Sequence, residues 1–111
     1  TNPFTILGGL KVDMRKPFFG TGAGLVSADF QAAASKTSVG TFNKKPVNNW
    51  YTAILDTSGN STINLAGTTQ FRLRFEQDDN DDLGADFMKF YSGNFATVAN
   101  QPKLIIEYFI P

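Results

Sequence analysis

Gln70-Phe71-Arg72-Leu73-Arg74-Phe75-Glu76-Gln77 alternates apolar and polar side chains with a period of two. Successive side chains of an extended chain point to opposite faces. Phe71, Leu73 and Phe75 are therefore expected to point inward, and Arg72, Arg74 and Glu76 outward. Glu76 partly offsets the two neighbouring guanidiniums. Leu10–Arg15 repeats the pattern, with Leu10, Val12 and Met14 on one face and Lys11, Asp13 and Arg15 on the other. Two further runs, Trp50–Leu55 and Leu104–Ile110, are apolar on both faces. A strand of that kind is central and covered, or it meets a partner. Asp86–Tyr91 and the short Val39–Phe42 bring the expected strands to about six, separated by Gly, Asn, Asp and Pro. That spacing is the signature of a β-sandwich. One helix is expected from Ser27 through the alanines at 32–34, with Ser27 as cap, Asp29 in the first turn and Phe30 pinning it to the sheet. Thr62–Leu65 reads as a second helical turn.

Composition narrows the functions. The chain of 111 residues carries 10 basic and 10 acidic side chains. A surface built for nucleic acid is therefore not expected. Eleven Phe and 41% hydrophobic residues are too many for a disordered segment. At 12.1 kDa, a single domain of residues 1–111 would expose roughly 6,000 Å² when folded. With neither His nor Cys, Ser-His and Cys-His nucleophiles, Cys/His zinc sites and disulfides are excluded. The lack of Cys suits a reducing cytoplasm or a bacterial surface protein without disulfides. No apolar run approaches the ~18 residues of a membrane span. The opening Thr1-Asn2-Pro3 reads as a processed or excised piece. Gly20–Gly24 lacks the Lys-Ser/Thr of a phosphate loop and reads as a surface loop.

Two clusters are candidate sites. Asp78, Asn80 and Asp82 alternate ahead of Gly84, and Asp86 returns as the next strand begins. Oxygen ligands on a turn suit Ca²⁺, and a dication would relieve repulsion among crowded carboxylates. The same residues equally make a solvated hairpin loop. They lack the asymmetry of a glycosidase pair, so the chain is read as no enzyme. Asn48, Asn49, Trp50 and Tyr51 set amides beside rings, a combination that can stack on sugars, although most aromatics of a sandwich are core. Lys44, Lys45, Arg72 and Arg74 suit an acidic polysaccharide or a solvated face.

Gly67–Phe75, Asp78–Asp82, Phe90–Asn94 and Gln101–Tyr108 follow one another in an order that resembles the closing strands of DNRLRE-type β-sandwich domains. Those domains are related to the disaggregatase-related repeat and to a carbohydrate-binding module family. Val12–Gly20 and Ala28–Ala34 resemble a bacterial branch of the group. The resemblance implies an all-β antiparallel sandwich of jelly-roll type with one short α-helix. It also implies a non-catalytic, extracellular or cell-surface bacterial module with a structural, adhesive or carbohydrate-binding role, whose partner is a polysaccharide or other surface component. Family members carry strands upstream of the segment matching Thr1. The chain is therefore read as a fragment of a longer protein or as a subunit completed by another chain. The alternative is a structural subunit that forms fibres or homo-oligomers by strand exchange, donating Thr1–Leu7 or Ile105–Pro111.

Overall fold

The computed structural model describes residues 2–111. Its centre is one open antiparallel sheet of three strands, β1 (Leu10–Arg15), β2 (Lys36–Thr41) and β3 (Gln70–Phe75), in the order β2-β1-β3. β1 and β3 pair in continuous register from Leu10 opposite Phe75 to Arg15 opposite Gln70. Both are the strands that alternation predicts. β2 begins earlier than the expected Val39, and its pairing with β1 is interrupted by a bulge between Val12 and Met14. There Ser38 adopts a left-handed conformation, φ 53°.

The core lies on one face of β1. Val12, Met14 and Val39 are buried, with Phe42, Ala53 and Leu55 against them. A 3₁₀ turn, Thr57–Thr62, closes over this cluster with Gly59 and Thr62 buried. Glycine is required at 59 because a Cβ there would stand 2.8 Å from Met14 Sδ. Helix α1 (Pro3–Leu7) caps one end of the sheet. Its start has a local cause: the Asn2 side chain accepts from Phe4 N at 3.0 Å, and Pro3 occupies the first turn. Phe4 then lies against both Tyr51 and Phe75, with ring centroids 5.8 and 5.7 Å away.

The structure corrects the sandwich. There is no second sheet and no jelly roll among the described residues: Asp86–Tyr91 and Leu104–Ile110 have strand composition but form no ladder. β propensity reflects fit to a neighbouring pleated surface, and neither run has a neighbour. Trp50–Leu55 runs as an irregular arm along the outer edge of β2, through a Phe42–Ala53 bridge and the bond from Asp56 N to Val39 O, 2.8 Å. The helix expected from Ser27 is a 3₁₀ turn of four residues, Ser27–Phe30. Phe30 is exposed and pins nothing. Three alanines are too short a run to repay helix nucleation. The only α-helix among the described residues is α1, in a segment expected to be extended, and the turn expected at Thr62–Leu65 forms earlier, at Thr57–Thr62.

Truncating Met14 to Ala should cost about 2–5 kcal/mol in urea unfolding, because the surrounding core cannot collapse into the space. Ile54→Ala, at an exposed position, should stay within about 0.5 kcal/mol.

Candidate functional site

The polar face of the sheet is organised around one carboxylate. Asp13 is completely buried. It lies directly opposite Arg72 in the ladder. Its Oδ2 accepts from Arg72 Nη2 at 2.8 Å and from Arg74 Nε at 2.7 Å, and its Oδ1 accepts from Ser38 N at 2.9 Å. The bulge in β2 thus turns a backbone donor onto the carboxylate. Burial alone pushes the Asp13 carboxyl up. The hydrogen bonds from Arg74, Arg72 and Ser38 outweigh it and hold the group below the usual aspartate value. Arg72 extends the cluster: its Nη1 donates to the carbonyls of Asp29 at 3.0 Å and Ala32 at 2.6 Å, and its guanidinium lies 4.4 Å from the centre of the Phe19 ring. Asp13 is therefore shared by two guanidiniums, and a second buried carboxylate, Asp29, lies on the Arg72 side. Glu76 is not part of this cluster. It accepts from Gly9 N at 3.0 Å and pairs with Lys11 at 3.1 Å, and those two interactions hold its carboxyl below the usual range.

The outer edge of β3 is open. Glu76 N donates to Gly9 O on the β1 side. Ladder groups alternate, so the backbone groups of Phe71, Leu73 and Phe75 point away from β1. They find no backbone partner among the described residues. The apolar face narrows to nothing here as well: Phe71 and Leu73 are 39% and 43% exposed although they share a face with buried Met14 and Val12. Beside Phe71 lies a hollow of about 260 Å³, walled by Phe19, Leu25 and Phe30, with Asp29, Gln70 and Arg72 as its polar border. The C-terminal segment Leu104–Ile110 leaves the body with all seven side chains exposed.

The residues singled out in the sequence fall elsewhere. Asn48 and Asn49 have φ of 50° and 67° and form a two-residue turn closed by reciprocal bonds between Val47 and Trp50, both 2.9 Å. Asparagine tolerates that conformation, which accounts for the pair. Tyr51 packs on Phe4, and Trp50 holds the Lys103 ammonium 4.9 Å from its ring centre. In the acidic loop, Asp82 Oδ1 accepts from Gly84 N at 2.7 Å, and its Oδ2 accepts from the Asn80 amide at 3.0 Å. Asp78 and Asp86 do not join them, and no group of three or more metal-binding side chains converges among the described residues. The geometry therefore lends calcium no support.

No protein-family model, curated protein or solved structure matches the chain. The resemblance to DNRLRE-type domains rests on the quoted segments alone. Sequence reasoning missed Asp13, placing it on a solvated face. The available signal was parity: a lone aspartate at the centre of one alternating strand, and two arginines at matching positions of another.

Asp13→Ala would leave two guanidiniums over a buried void and should cost about 3–5 kcal/mol. The folded-state pKa of Asp13 lies below the unfolded value of about 3.9. Its stabilisation is therefore complete above that pH and is lost as pH falls through the folded value. Urea midpoints taken from about pH 5 to pH 2 should decline less steeply in Asp13→Asn than in the parent chain.

Proposed function

We propose that this chain is a non-catalytic structural module that completes its sheet by strand addition from another polypeptide. One observation carries the reading: Leu104–Ile110, a strand-like apolar segment, stands exposed in a molecule whose sheet keeps an open apolar edge. The surface supports it quantitatively. The chain exposes 8447 Å², about 2,400 Å² more than the compact expectation for its mass. That excess is larger than the ~800 Å² that each partner of a standard protein–protein interface buries. The radius of gyration, 15.1 Å, likewise exceeds the ~13 Å of a compact chain of this length.

Catalysis has less support. Asp13 and Glu76 are held below their usual pKa values, whereas a carboxyl acting as general acid needs its pKa raised. The resemblance to DNRLRE-type domains, which sit in large secreted or surface-attached bacterial proteins, favours an extracellular or cell-surface setting.

Light scattering on the full chain at rising concentration should report masses above the 12.1 kDa of one copy. A mass that stays at one copy up to the solubility limit would remove self-association as the function.

A further inference from the structure

We infer that the strand completing the sheet is Leu104–Ile110 of a second copy of this chain, added antiparallel to the outer edge of β3 with Glu107 beside Arg74 and Phe109 in the aromatic hollow. This rests on the assembly reading above and specifies its contacts. Three features of the two surfaces agree on it.

The first is parity. When Ile106, Tyr108 and Ile110 lie over the exposed apolar side of β3, Ile105, Glu107 and Phe109 necessarily face the Arg72 and Arg74 side. The second is charge. Arg74 shares its one carboxylate, Asp13, with Arg72, and Glu107 is the only acidic residue of the segment. Arg74 is the more exposed guanidinium, 37% against 16% for Arg72, so it is the one a partner can reach. The third is shape. With Glu107 opposite Arg74 in an antiparallel pair, Phe109 falls opposite Arg72, at the border of the hollow walled by Phe19, Leu25 and Phe30. Phe109 is 99% exposed. An apolar cavity of ~150 Å³ takes a benzene ring, so a hollow of about 260 Å³ has room for its side chain. In the same register Ile106, Tyr108 and Ile110 meet Phe75, Leu73 and Phe71, whose backbone groups are the free ones.

The donor is a second copy because the segment is rooted on the wrong border of its own sheet. Lys103 sits over Trp50, in the arm beyond β2. To reach the outer edge of β3, the segment would have to span the four strand spacings from the arm to the position beyond β3, about 19 Å at ~4.8 Å each. That would take about six of its residues at ~3.3 Å each. Tail-to-edge pairing between copies is head-to-tail, so it builds rings or open filaments.

Two variants separate donor from acceptor. Tyr108→Pro removes the N–H that would face Leu73 and lies outside the body, leaving the edge intact. Leu73→Lys places a charge on the half-exposed apolar side of the edge and leaves the tail intact. Each alone should remain at the mass of one copy where the parent chain associates. Mixed in equal amounts, they should form a heterodimer of twice that mass by light scattering. Adding Phe109→Ala or Glu107→Lys to the Leu73→Lys chain should weaken the heterodimer by about tenfold or more. A mixture that stays monomeric while the parent chain associates would overturn the inference and leave the assembly reading standing. Unimpaired self-association by Tyr108→Pro would do the same, and an unchanged heterodimer with Phe109→Ala and Glu107→Lys would overturn the register. A parent chain that never associates overturns the inference and removes self-association, leaving strand addition by a different polypeptide as the assembly reading. If circular dichroism shows Leu73→Lys unfolded, a fluorescent Lys103–Pro111 peptide replaces it. The peptide should bind the Tyr108→Pro chain, and absence of binding at the highest soluble concentration would overturn the inference.

Discussion

A single buried carboxylate, Asp13, ties the three strands to one another. It sits at the centre of β1, takes guanidinium donors from two residues of β3 and a backbone donor from the bulge of β2. A buried charge of this kind is tolerable only when its acceptor sites are filled. The carboxylate therefore imposes the β1–β3 register that brings Arg72 and Arg74 within reach. It also accounts for Ser38 in a left-handed conformation that non-glycine residues seldom adopt. The loop from Phe19 to Ala32 follows from the same cluster, since Arg72 collects its carbonyls and covers the Phe19 ring.

The sheet so organised is finished on one side only. Along β2 the edge is closed by the Trp50–Leu55 arm, and above β1 the core is sealed by Gly59, Thr62 and Val39. At β3 neither the backbone edge nor the apolar face is covered. Long exposed edges beside apolar surface are a hazard that folded proteins normally blunt. Here the chain also carries a strand-like segment with no place in its own sheet. In the proposed assembly the open edge and the unpaired segment are the two halves of one contact.

The proposed contact would give the charged cluster a second role. Within one copy, Asp13 holds the strands in register. Between copies, Arg74 and the adjoining hollow would select the strand that carries Glu107 and Phe109 and fix its direction. Backbone pairing alone accepts any extended segment. Discrimination comes from the side chains that alternate across the edge.

Local physics in the sequence determined a good part of this protein. Alternation in Leu10–Arg15 and Gln70–Phe75 marked two strands; the apolar face of β1 is the buried one, whereas in β3 Phe71 and Leu73 are more exposed than Arg72. Asn2 and Pro3 supply the cap and first turn of α1, a helix in a segment read as an extended donor, and Leu104–Ile110 is apolar on both faces. What the sequence left open was everything set by neighbours. Six strand-like runs suggest a sandwich, but strand composition becomes a strand only where another strand lies alongside, and two of the runs have none. The alternation of β1 put Asp13 on a solvated face because period two says which side a residue faces and not what lies there. Only the tertiary fold placed Arg72, Arg74 and the Ser38 bulge over it. The Asn48-Asn49 pair likewise reads as ligand-binding amides in isolation and as a left-handed turn once Val47 and Trp50 are seen to pair. In each case the deciding interaction joins residues distant in the chain or depends on backbone conformation, and neither is carried by residue type alone.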